Sequence, residues 1–193
     1  MEIGDLILAF LINLLYIIGV KEVYILFTHT GTLMSQSIRI LKQARYSHVS
    51  IALDAQLTEL YSFGRKYPYN AFIGRFVKEG IHFGTFKRFK NTDCKVMRLA
   101  VSQQQYQNMK NEIDRMLAEK NKYKFNVRGV FYANFNKKFS RPYRYYCSEF
   151  VKHILDVGLV DTSMLPEIVQ PEHILMINNL QPVYSGLLRD YPV

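Results

Sequence analysis

The chain has 193 residues, 49% hydrophobic, 14% aromatic and 21% charged, a composition that excludes intrinsic disorder and suffices for one domain with a substantial core. Twenty-five Lys and Arg against sixteen Asp and Glu leave a formal charge of +9, which suits an anionic partner such as a lipid headgroup, a cell-wall polymer or nucleic acid. Two cysteines, Cys94 and Cys147, exclude a disulfide framework and lack the paired spacing of a zinc site, so neither a metal nor a cofactor is expected.

The first segment, Ile3 to Val20, is an 18-residue apolar span interrupted by Asp5 and Asn13, at the short limit for a membrane helix of about 20 residues. Glu2 and Asp5 at its start and Lys21 at its end do not fit a secretory signal. It reads as a hydrophobic N-terminal helix over residues 1–20, either a membrane anchor or a core or interfacial element. The chain is therefore expected to be membrane-associated through residues 3–20, or else cytoplasmic. Residues 21–193 form the domain proper.

"KEVYILFTHTGT" reads as a strand, an apolar beta-prone run closed by Thr and Gly. "LMSQSIRILKQ" has helical spacing. "SHVSIALD" alternates, with His48, Ser50 and Ala52 on one face and Val49, Ile51 and Leu53 on the other. A turn around Asp54, Ala55 and Gln56 makes residues 48 to 63 a hairpin. The Gly-, Pro- and Asn-containing stretch from Arg65 to Phe89 predicts a loop followed by short strands. "CKVMRLAVS" is a buried strand, and Ser102 then caps an amphipathic helix in which Tyr106, Met109, Ile113, Met116 and Leu117 recur. "VRGVFYANF" is a short apolar stretch compatible with helix. A basic loop leads to Cys147, and Phe150, Val151, Ile154 and Leu155 make one helical stripe that Gly158 ends. "PEHILMINN" predicts a last helix, followed by an irregular tail.

Cys147 thus falls in the first turn of a helix, where partial positive charge and unpaired N–H groups favour thiolate. Burial as an ordinary small side chain is the competing reading. A nucleophile needs a base, and the histidines are 29, 48, 82, 153 and 173. His48 is preferred because it begins a strand, which holds an imidazole more rigidly than a loop. No close histidine set has metal-ligand spacing. The basic residues, between Arg65 and Lys90 and again between Lys137 and Arg144, lack the ordering of a nucleic-acid motif, and nucleic acid is not the expected partner.

The pair "YSHVSIAL" and "YYCSEFV", with "SQSIRI" ahead of the histidine strand, resembles the circularly permuted branch of the papain-like, NlpC-type hydrolases. That branch includes bacterial YiiX-like proteins and lecithin retinol acyltransferase, and the likeness spans roughly residues 23 to 175. It implies an α+β permuted papain-like fold, with an antiparallel sheet carrying His48 packed against a helix carrying Cys147. It also implies a thiol hydrolase or acyltransferase with Cys147 as nucleophile and His48 as general base. A third polar residue on the strand after the histidine would orient the imidazole. Glu59 is the first choice, with Ser62 and Tyr61 behind it. Pairing the hairpin about Ala55 would set Ser62, rather than Glu59, opposite His48. The backbone N–H of Cys147 would serve an oxyanion hole, with Tyr46 as second donor or pocket lining and Tyr146 beside the substrate. Plain aromatic packing is the alternative for both tyrosines. The expected substrate is a peptide or other amide, with a lipid acyl substrate and an anionic membrane surface as the rival and a non-catalytic binding module as the second rival. Oligomeric state is left open.

Overall fold

The computed structural model describes residues 19–31, 45–67, 70–133 and 135–192, with backbone alone at 70–73. The predicted helices at 3–20 and 33–43 lie outside these residues, apart from Gly19 and Val20, of which Val20 is exposed and opens a strand. Among the described residues no helix is long and apolar enough to cross a membrane.

The chain is an α+β structure built on one eight-stranded sheet in the order β7-β6-β4-β3-β2-β1-β5-β8. β1 (Val20–His29), β2 (His48–Ala52), β3 (Leu60–Tyr67) and β4 (Asn70–Glu79) pair as successive antiparallel neighbours. α1 (Gly84–Arg88) leads to β5 (Asp93–Ser102), which returns to the free side of β1. α2 (Gln103–Ala118), β6 (Lys124–Phe125), α3 (Val127–Ala133) and β7 (Arg144–Tyr145) follow, β6 and β7 being the one parallel pair among the described residues. α4 (Cys147–Val157), a 3-10 helix (Pro171–Met176) and β8 (Gln181–Leu187) complete the order.

β1 has a continuous buried run from Val23 to His29 because both faces of the sheet are covered. Val23, Ile25 and Phe27 enter the larger core, with Val49, Ile51, Leu53, Met109, Ile113 and Met116 of α2 and the Phe150 stripe of α4. Tyr24 and Leu26 point the other way, into a smaller core with Ala52, Leu60, Phe86 and Leu188. The alternation of β2 is therefore as its sequence reads. Full burial of Phe150 contributes roughly 2 to 3 kcal/mol. α2 begins as its sequence requires: Ser102 Oγ accepts from Gln105 N at 3.1 Å while Gln105 Oε1 accepts from Ser102 N at 2.9 Å.

Three segments differ from the sequence expectation. The stretch from Arg65 to Phe89 is dominated by β4, laddered against β3 from Leu60↔Glu79 to Tyr67↔Asn70. The last predicted helix is a single 3-10 segment with Pro171 in its first turn. The tail contains β8, an edge strand on β5 with mostly exposed side chains. Its Pro182 and Gly186 disguise it in the sequence, and an edge position tolerates both.

Candidate active site

His48 is the first residue of β2, backed by Thr28 of β1, and Cys147 is the first residue of α4. Packing of α4 against β2 and β3 brings the two together across 99 residues of sequence, near enough for the Cys147 side chain to raise the His48 pKa. Cys147 is 9% exposed and the His48 side chain 20%, so the pair is largely enclosed but reachable. The other thiol, Cys94, is fully buried in the smaller core, and burial pushes it up to about 12.

The carboxylate at His48 is Glu79, not Glu59. Glu79 ends β4, and its Oε1 and Oε2 lie 3.2 Å and 3.3 Å from His48 Nε2. A carboxylate only accepts, so Nε2 carries a proton here and Nδ1 is the nitrogen left for the thiol. Ser50 Oγ donates to Glu79 Oε2 at 2.5 Å and lies 3.3 Å from His48 Nε2. The acid reaches across β3 because Gly64 has no side chain: a Cβ there would stand 2.8 Å from Glu79 Oε1 and 3.0 Å from Ser62 Oγ. Burial would depress the imidazole, but the Glu79 charge, the neighbouring Cys147 side chain and the Glu79 hydrogen bonds outweigh it and raise His48 from 6.5 to about 10. Burial would likewise raise Glu79, yet His48, Ser50 and Ser62 hold it below the ordinary carboxylate range.

Glu59 sits elsewhere. Its partly exposed carboxylate accepts from Lys78 Nζ at 2.9 Å and from Tyr61 OH at 3.0 Å, and the Lys78 hydrogen bond lowers it. Tyr61 is thereby committed to Glu59, while Ser62 lies fully buried beside the Glu79 carboxylate. The β2–β3 register, Ile51↔Tyr61 and Ala52↔Leu60, centres on residue 56 rather than Ala55. Its continuation sets Ser62 opposite Ser50, one step from His48. Glu79 lies in the stretch whose Gly, Pro and Asn content predicts a loop followed by short strands, so the sequence does not align it with His48. One signal was present: it is the only Asp or Glu between residues 60 and 92, among seven Lys and Arg.

Tyr46 is buried, with its ring 5.9 Å from Phe27, and its backbone N–H donates to Glu172 Oε1 at 3.2 Å. Arg45 N also donates to Glu172, so this carboxylate holds the chain just ahead of His48. Tyr146 is buried at the helix start with its N–H donating to Glu149 Oε2 at 3.1 Å. Ser148 Oγ donates to Val169 O at 2.8 Å, pinning the segment before the 3-10 helix to α4. Of the other histidines, His29 contacts Ser47, His153 pairs with Glu112 at 2.7 Å, and His173 accepts from Gln170 N. Among the described residues no three His, Cys, Asp or Glu side chains gather as a metal site would require. No protein-family model matches the chain, and no curated protein matches it.

Proposed function

We propose that the chain is a thiol hydrolase of the circularly permuted papain-like type, acting on an amide carbonyl through a Cys147 acyl-enzyme. The observation that carries this reading is the placement of His48 between an acid on Nε2 and the Cys147 thiol. Nδ1 holds the proton given up by the thiol, in the imidazolium that the raised pKa of His48 favours, and the sulfur attacks the carbonyl carbon, pushing its electron pair onto oxygen. The backbone N–H of Cys147, in the first turn of α4, is suited to receive that oxyanion. As the tetrahedral species collapses, His48 returns the proton to the leaving nitrogen. Water, deprotonated by the same imidazole, then cleaves the thioester and regenerates the thiol. Glu79 keeps the ring oriented and stabilises the imidazolium, the part an aspartate plays in a serine triad. It replaces Glu59 in that role.

The test is labelling with a panel of electrophilic amide, lipid and thioester probes on the native chain, Cys147→Ala and His48→Ala. Loss of labelling in both variants with preference for the amide probe is expected. Equal labelling of native protein and His48→Ala would remove the reading. The surface described next favours a lipid acyl substrate as the second reading, which preference for the lipid probe would select.

A further inference from the structure

Residues 120–148 contain eight Lys and Arg and no Asp or Glu, and they run directly into Cys147. Within them α3 presents an apolar face to solvent. Val127 and Phe131, one turn apart, are each 59% exposed, and Phe135 just beyond the helix is 62% exposed. The Phe131 ring lies 5.3 Å from Phe135 and 5.8 Å from Tyr132, so these side chains form one patch. Tyr132 stacks on Phe139 at 5.2 Å, and the Arg141 guanidinium lies 5.9 Å from the Phe139 ring. Arg128, Lys137 and Lys138 flank the patch in exposed positions, Lys138 in a solvent-exposed ion pair with Glu167. Exposed aromatics ringed by long cations, without a carboxylate in the same stretch, match the chemistry of an anionic bilayer interface. There rings insert at headgroup depth and Lys and Arg reach the phosphates.

The patch is rigidly tied to the candidate site. Asn126 is buried, its Oδ1 accepts from Gly129 N at 2.9 Å, and its Nδ2 donates to Phe139 O at 2.9 Å and to Glu149 Oε2 at 3.3 Å. A Cβ on Gly129 would come within 2.2 Å of that Asn126 amide, so only glycine lets the helix close on its cap. One asparagine thus joins the aromatic loop to the first turn of the Cys147 helix.

We propose that the aromatic and basic surface around α3 docks the protein onto an anionic lipid surface, holding the Cys147 helix at the bilayer. The inference concerns binding and stands without the thiol chemistry, so it is tested on full-length Cys147→Ala. The chain has no tryptophan, which makes Phe131→Trp a sole reporter. Vesicles of phosphatidylserine and phosphatidylcholine are expected to shift its emission to the blue and to let brominated acyl chains quench it. Val183→Trp on β8, at the opposite edge of the sheet, is expected to do neither. The pair Phe131→Ser and Phe135→Ser should weaken vesicle partitioning roughly a hundredfold. Lys137→Gln with Lys138→Gln and Arg141→Gln should weaken it by a similar factor, with most of the native binding lost in high salt. Three results overturn the proposal. One is a Phe131→Trp emission already blue-shifted without vesicles, which means the chain covers its own patch. The second is an unshifted emission while the protein sediments with vesicles, which means another segment attaches it. The third is equal partitioning into purely zwitterionic vesicles.

Discussion

Replacing Glu79 by Gln keeps the shape of the side chain beside His48 and removes its charge. His48 stands at about 10 against an ordinary 6.5, and of the causes that lift it the Glu79 charge is the largest. Removing that charge leaves burial opposed only by the thiol and one weakened hydrogen bond. His48 should then fall by at least about two pH units, roughly 3 kcal/mol of differential interaction at 1.36 kcal/mol per unit. Stability should follow with a definite sign. A raised His48 contributes stability that is complete below 6.5 and lost as pH rises through about 10. A lowered Glu79 contributes stability that is complete above 4.5 and lost as pH falls through its depressed value. The two overlap most fully between 4.5 and 6.5. Glu79→Gln should therefore cost about 3 kcal/mol in urea unfolding near pH 6, and progressively less toward pH 10. Titration of the 13C-labelled His48 ring by NMR reads the first effect directly. A His48 titration within about half a pH unit of the native one, with an unchanged unfolding midpoint at pH 6, would refute the assignment of Glu79 as its partner.

Gly64→Ala places a methyl group 2.8 Å from Glu79 Oε1 and must displace the carboxylate. A loss of about 1 to 3 kcal/mol in chemical unfolding, with slower Cys147 labelling, is expected. Glu59→Gln breaks only a surface pair with Lys78 and should change stability by less than about 1 kcal/mol and leave labelling intact. A large loss of labelling would restore Glu59 to the site. Ser102→Ala removes the α2 cap and should cost about 1 kcal/mol by denaturant titration with no effect on probe reactivity.

The parts of this protein legible in its sequence are those written by local periodicity and end chemistry. Met109, Ile113 and Met116 recur at helical spacing behind a Ser102 capping box, and Phe150, Val151 and Ile154 do so behind Cys147. The alternation from His48 to Leu53 likewise announces which side chains of β2 enter the larger core. These signals act within a few residues, so they survive without knowledge of the rest of the chain. Glu79 could not be read that way. Its partnership with His48 depends on the register of β3 on β4, on a third strand between the two residues, and on the open space above Gly64. The same holds for β8, whose exposed Pro182 and half-buried Gly186 carry no period and which is a strand only because β5 offers it an edge. Pairing between distant strands is settled by how both faces of the sheet fill, and that packing exists only once the whole chain has come together.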